Sequence, residues 1–348
     1  MGFRLLKIKL VIIYSLLVII TGCTQMQYFN ESFSEGFKEL NNEEITSLQN
    51  LKKHIMLLAG TLGQRNMYFP KQLESAAAYI DKNFRAQGHK VGSHEYTVQR
   101  GWRPFPSQFT GKVVSNIEAE IPGEVYRDEI ILVGAHYDSV VGSPGANDNA
   151  TGVAGLLEIG RLLSGRKLKR TIRLVAFVNE ESPFFATKNM GSYVYAQRCS
   201  ERQENIRAMI SLETLGYYSN VKGSQTYPFP LGFFKPGTGN YLGFVSNIRS
   251  RHFLKDFMKR FGEMVEFPME GVAIPQIIPG IGWSDHRSFW KFDYPAIMVT
   301  DTALFRYPFY HTHEDTPEKI HYHHLARVVS GLLKSIETLA NEPSPLNY

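Results

Sequence analysis

Residues Glu129–Glu181 read EIILVGAHYDSVVGSPGANDNATGVAGLLEIGRLLSGRKLKRTIRLVAFVNEE, and they decide the fold. Two runs rich in Val, Ile and Leu each end in polar groups: Ile130–Ala135 meets His136 and Asp138, and Ile172–Val178 meets Glu180 and Glu181. A third run, Ala208–Leu212, ends the same way at Glu213. Short apolar runs separated by helical patterns read as buried parallel strands. The expected fold is α/β, a mixed but mainly parallel central sheet flanked by helices, in a single domain.

Ligands of open α/β sheets sit outside the carboxyl ends of the strands. Three adjacent strands would therefore bring imidazole and carboxylate groups to one edge, the layout that metal-assisted hydrolysis needs. Gly142, Pro144 and Gly145 bend the chain so that Asp148 returns to that edge. Thr151 then reads as the N-cap of a helix running to about Leu163. An aspartate before a helix is commonly only a cap or turn residue, but here other potential ligands converge on it. Adjacent residues of an extended segment point in opposite directions. One carboxylate of Glu180-Glu181 can then bind a cation while the other faces substrate as a general base. A double Glu on a surface loop usually means nothing; this one directly follows LVAFVN. After a strand over Ala296–Thr300, Tyr310-His311-Thr312 supplies a further imidazole.

The chain begins MGFRLLKIKLVIIYSLLVIITGC, with Arg4, Lys7 and Lys9 ahead of an apolar run from Leu10 to Ile20. That run is short for a bilayer span and predicts an export signal over residues 1–22. Ile20-Thr21-Gly22-Cys23 resembles the lipobox of bacterial lipoproteins. Cys23 is therefore expected to carry lipid and hold the protein to a membrane, facing the periplasm or the cell surface. Residues 23–44 read as a tether and 45–342 as the folded domain. An uncleaved anchor helix is the alternative. Loss of the signal removes three basic residues and changes the balance from 38 basic against 33 acidic to 35 against 33, from +5 to +2. The basic balance is thus partly a property of the signal, and no nucleic-acid partner is expected. Cys199 is then the only cysteine, which excludes an intramolecular disulfide.

Helices are expected over Ile45–Leu62, Lys71–Gln87, Val245–Phe261 and Leu325–Leu339, and strands over Val91–Arg100 and Val113–Ile121. Residues 219–275 are rich in Gly, Pro and aromatics, and no other element is legible there.

Taken together, GAHYDS, PGANDNATG, FVNEE, MGSYVYA, ISLETLG, SDHRSFW and YHTHEDTPEKI resemble, in order and spacing, the bacterial zinc aminopeptidases of peptidase family M28. The resemblance covers about residues 45–340. It implies a zinc-dependent exopeptidase fold acting on peptides, with two zinc ions. His136 and Glu213 would hold one ion, Glu181 and His311 the other, and Asp148 would bridge them. Glu180 would be the general base. Asp138 would accept from the other ring nitrogen of His136, and Tyr310 would steady the tetrahedral oxyanion. A cis peptide at Asp148-Asn149 is implied as well. Glu213 departs from the family, where aspartate is usual, so a single zinc stays open. A single-zinc glutaminyl cyclase and an inactive binding lipoprotein are the competing readings. His313 competes with His311 as the last ligand, and His321, His323 and His324 form a second histidine tract. Side-chain preference and oligomeric state are not legible.

Overall fold

The computed structural model describes residues 38–101, 105–228, 232, 235–346 and 348. The export signal and Cys23 lie outside the described residues. Among those residues, no helix is long and apolar enough to cross a membrane.

The strands are β1 (Lys90–Thr97), β2 (Val113–Ile121), β3 (Tyr126–His136), β4 (Arg170–Phe177), β5 (Asn205–Glu213), β6 (Leu242–Ser246), β7 (Met269–Ala273) and β8 (Ala296–Thr300). The helices are α1 (Asn42–Ile55), α2 (Pro70–Ala86), α3 (Thr151–Leu163), α4 (Gly191–Glu201), α5 (Arg251–Met264), α6 (His286–Trp290), α7 (Ala303–Arg306) and α8 (Tyr322–Asn341). All eight strands form one sheet in the order β1-β2-β4-β3-β5-β8-β6-β7. Strands β4, β3, β5 and β8 run parallel, while β1, β2 and the β6/β8 pairing are antiparallel.

Side chains of a strand alternate between faces, and both faces are apolar in the central strands. Ile131, Val133, Ile172, Leu174, Ile210 and Leu212 join the larger core cluster beneath α1, α2, α3, α5 and α8. Leu132, Val175, Phe177 and Met209 join the other cluster, with Tyr195 of α4 and Phe289 of α6. This two-sided burial is why the strands read as continuous Val/Ile/Leu runs. The chain leaves β3 toward β4 on one side and returns to β5 on the other. A reversal of this kind opens a crevice at the carboxyl ends of the strands, where His136 ends β3 and Glu213 ends β5.

Several boundaries differ from expectation. Helix α1 starts earlier because Asn41 and Glu44 form a capping box, each side chain accepting the other's backbone N–H at 2.9 and 3.0 Å. Its regular winding stops at Ile55, and Met56–Leu62 continue as a wider π-helical segment. The expected helix Val245–Phe261 is two elements, the end of β6 followed by α5 from Arg251. Apolar residues on a short strand and on the next helix face the same core and together imitate one helical period. Thr151 does begin α3, but it does not cap it. Its hydroxyl donates to Asn147 O at 2.7 Å and accepts from Leu215 N at 3.0 Å.

Candidate metal centre

Strand β3 delivers His136, whose Nδ1 lies 3.1 Å from the backbone carbonyl of Asp138. A carbonyl can only accept, so Nδ1 carries the proton and Nε2 presents its lone pair. The Asp138 carboxylate also lies beside this nitrogen and favours its protonation. That carboxylate stands 3.6 Å from Nδ1, and its two oxygens accept backbone N–H groups, from Glu180 and from Glu181, each at 3.1 Å. Asp138 thus ties the turn after β4 to the end of β3 and sets where the two glutamates stand.

The loop carrying Asp148 is held from two directions. Arg65, wholly buried, donates to the carbonyls of Leu58, Gly63, Tyr137, Pro144 and Gly145 at 2.6–3.0 Å. Gly145 has φ +65°, and a Cβ there would come within 2.4 Å of Asp148 O, so only glycine fits. From the other side, Asp315 accepts the N–H groups of Asn147 and Asp148 at 2.8 and 3.1 Å and the Tyr307 hydroxyl at 2.9 Å. The Asp148-Asn149 peptide is cis. Asn149 then bonds Leu212 O and Thr214 N, fastening the loop to the end of β5.

The two carboxylate oxygens of Asp148 divide between two groups. Oδ1 lies 3.2 Å from His136 Nε2, which is also 3.3 Å from Glu213 Oε2. Oδ2 lies 3.1 Å from His311 Nε2, which is also 3.3 Å from Glu181 Oε1. A tetrahedral zinc with arms of about 2.0–2.1 Å puts neighbouring ligand atoms roughly 3.3–3.4 Å apart. The buried atoms His136 Nε2, Asp148 Oδ1 and Glu181 Oε1 have no hydrogen-bond partner. Buried polar atoms aimed at one another without a proton to share fit a cation between them. The residues present therefore fit zinc, in two triads, His136-Asp148-Glu213 and Asp148-Glu181-His311. Glu213, despite its extra methylene, reaches the first triad and accepts from Ser284 Oγ at 2.7 Å.

The electrostatics point the same way. Burial pushes the Glu180 carboxyl well up, and its neighbours Glu181, Glu213 and Asp285 add to this against the opposing charge of His136. Burial likewise raises Glu181 to about 7 and Asp285 to about 7. Burial opposes a positive His311, but Asp148 and Glu181 overcome it and raise the imidazole to about 10. Negative charge is in excess in this chamber, and two cations would relieve it. Tyr310 stacks on His311 with ring centroids 3.9 Å apart, and burial beside these carboxylates raises its phenol, which stays an O–H donor.

The remaining candidates fall away from this centre. His313 and His323 are exposed, and His324 stacks on Tyr218. None of them, nor His321, joins a metal-holding group among the described residues. His286 is buried against Trp290 with Nε2 2.7 Å from Ile281 O. Arg65, Ser284 and Asp315 were not singled out from the sequence. Asp315 lies inside the quoted YHTHEDTPEKI, whereas Arg65 carries no signal, since an arginine in a loop ordinarily reads as surface.

An α/β fold with two candidate metal-holding triads at the carboxyl ends of its parallel strands is thus defined. The sequence profile of peptidase family M28 matches residues 116–336. The uncharacterised protein YfbL of Escherichia coli K12 is 34% identical over 297 residues, covering 82% of this chain and 87% of YfbL. Among solved structures, BSAP, a zinc aminopeptidase from Bacillus subtilis, has a TM-score of 0.68 at 15% identity, covering 88% of this chain and 98% of that one. A glutaminyl cyclase from Fimbriiglobus ruber has a TM-score of 0.61 at 17% identity, covering 88% and 99%. Peptidase and cyclase share the fold, so the fold does not choose between them. The chain belongs to peptidase family M28 and is a zinc-dependent metallopeptidase.

Proposed function

We propose that the protein is a two-zinc aminopeptidase. The observation supporting this is the division of the Asp148 carboxylate between two histidine–glutamate pairs, with Glu180 beside the ligand Glu181. Zinc held by these five side chains would polarise the scissile carbonyl and acidify a water. Glu180 takes the proton from the attacking water and gives it to the leaving amine. Asp138 fixes the stance of Glu180 through its backbone N–H. The Tyr310 hydroxyl donates to the oxyanion that forms on the substrate carbonyl. Carboxylates near the site that are not zinc ligands would hold the ammonium of a free amino terminus, which favours cleavage from that end. The Glu180→Gln variant is expected to keep fold and zinc while kcat falls roughly 10²–10⁴-fold. Near-normal turnover would remove Glu180 from the base role, and pyroglutamate formation in place of residue release would make the protein a cyclase.

We also propose that the enzyme is exported and anchored through Cys23, a reading supported by residues 1–23 alone. A Cys23→Ser variant is expected to lose metabolic lipid label and leave the membrane fraction.

A further inference from the structure

The interior of the metal centre is acidic, but one side of its rim is basic. The segment after Glu181 folds back on that residue, the N–H groups of Phe184 and Phe185 donating to Glu181 O at 2.9 and 3.2 Å, and runs on to the exposed Lys188. Helix α6 is fixed to α4 by the buried hydroxyls of Ser192 and Ser288, 3.0 Å apart. Residues four apart in a helix are neighbours on one face, so the half-buried Arg287 and the exposed Lys291 leave α6 together. Aromatic rings seat both heads: Arg287 Cζ lies 5.0 Å from the centre of Phe185, and Lys291 Nζ 5.0 Å from that of Tyr193.

Among the described residues, the side chains of Lys188, Arg287 and Lys291 form no ion pair and no hydrogen bond. They crowd one another instead: burial lowers the Lys291 ammonium, and the charges of Arg287 and Lys188 lower it further. Burial also disfavours the Arg287 cation, and the charge of Glu180 opposes this, which sets the guanidinium on the Glu180 side of the chamber. Like charges gathered without a counter-ion favour an arriving anion. We propose that Lys188, Arg287 and Lys291 receive the carboxyl end of the substrate, and that the substrates are short peptides with both ends free. The proposal rests on the aminopeptidase reading. With its amino end at the metal centre, a peptide leaves past Glu180, which protonates the departing amine, and advances about 3.3 Å per residue. The carboxylate of a two- or three-residue peptide then meets the Arg287 fork, whose geometry suits two oxygens, and the two ammonium groups beside it. A longer peptide carries its carboxyl end beyond them.

The test compares kcat/KM of the zinc-loaded enzyme on leucyl-glycine and leucyl-glycyl-glycine with kcat/KM on the same peptides ending in a carboxamide. The wild type is expected to favour the free acids roughly tenfold or more, chiefly through KM, and to lose part of that advantage at high salt. In Arg287→Gln, and separately in Lys291→Gln, the ratio of acid to amide should fall toward one. Each ratio is taken on a single preparation, so a folding or zinc defect cancels from it. Leucyl-glutamyl-glycinamide separates the two sources of a carboxylate: turnover as fast as that of the free acids would overturn the terminal-carboxylate assignment in favour of acidic side chains. A wild type equally active on acids and amides, or a ratio that neither variant changes, overturns this inference and leaves the aminopeptidase reading standing. Release of the carboxyl-terminal residue from amino-blocked peptides overturns the aminopeptidase reading and keeps the carboxylate grip, and release from neither end overturns both.

Discussion

Among the described residues, a partly buried cluster of charge around β2 and the buried one at the metal centre are built on opposite rules. Around β2, Glu118 meets His94 at 3.0 Å, the Tyr195 hydroxyl and Arg198, while Arg173 spans Glu120 at 3.1 Å and Glu204. Three carboxylates there face two guanidinium groups and the ammonium of Lys90, 3.5 Å from Glu120, and the cluster neutralises itself. At the metal centre Asp148, Glu180, Glu181 and Glu213, with Asp138, Asp285 and Asp315 buried alongside, outnumber the groups of opposite charge near them among the described residues, His136, His311, Arg65 and Arg287. A buried charge without a counter-charge is costly, so the second cluster needs cations and the first does not. Burial of charge is common to both; only the imbalance marks the functional site.

That contrast is open to direct attack. The largest effect is expected at the centre. Zinc supplies several kcal/mol of transition-state stabilisation, so Glu181→Ala or His311→Ala should cut kcat/KM by at least about a thousandfold. Thermal unfolding of the β2 cluster variant below should be the more affected of the two. Glu118→Gln leaves Arg173 and Arg198 beside a neutral amide. It should cost about 3 kcal/mol in denaturant unfolding with zinc content unchanged; a loss of zinc in this variant would mean that the clusters are not independent.

Acid sharpens the same point. Burial pushes the Glu118 carboxyl up, yet the hydrogen bonds from His94 and Tyr195 and the charge of Arg173 prevail and hold it at about 2, against 4.5 for a free glutamate. A folded pKa below the unfolded one means stabilisation that is complete above pH 4.5 and lost as pH falls toward 2. Wild type should lose more stability across that window than Glu118→Gln, and parallel pH curves would show that the charge contributes nothing. The smallest effect is expected at His313 and His323. Alanine at either should leave zinc unchanged and shift stability by no more than about 0.5 kcal/mol, whereas a drop in zinc at His313→Ala would transfer the ligand role from its neighbour.

The legibility of these regions in the sequence differs for physical reasons. Strands β3, β4 and β5 are buried on both faces and announce themselves as apolar runs, and their carboxyl-end residues carry the centre. The ends of apolar runs pointed to His136, Glu180, Glu181 and Glu213, whereas the full set of five ligands, with Asp148 and His311, was implied only by the resemblance to family M28. Strands β6 and β7 were not legible. They are five residues each, lie near or at the sheet edge and sit in a stretch rich in Gly, Pro and aromatics, so neither length nor alternation separates them from loop. Arg65 and Asp315 act on backbone groups far away in sequence, and contacts to carbonyls and amides leave no trace in residue spacing. The further bonds of Asp138, from the N–H groups of Glu180 and Glu181, were hidden for the same reason.

The two-cation reading turns on Asp148 serving both triads at once. Zinc per chain, measured by mass spectrometry on purified wild type and Asp148→Ala after equal dialysis, tests this most directly. Two ions in the wild type and close to none in the variant are predicted. One ion kept at full occupancy by the variant would contradict a shared carboxylate and with it the paired centre.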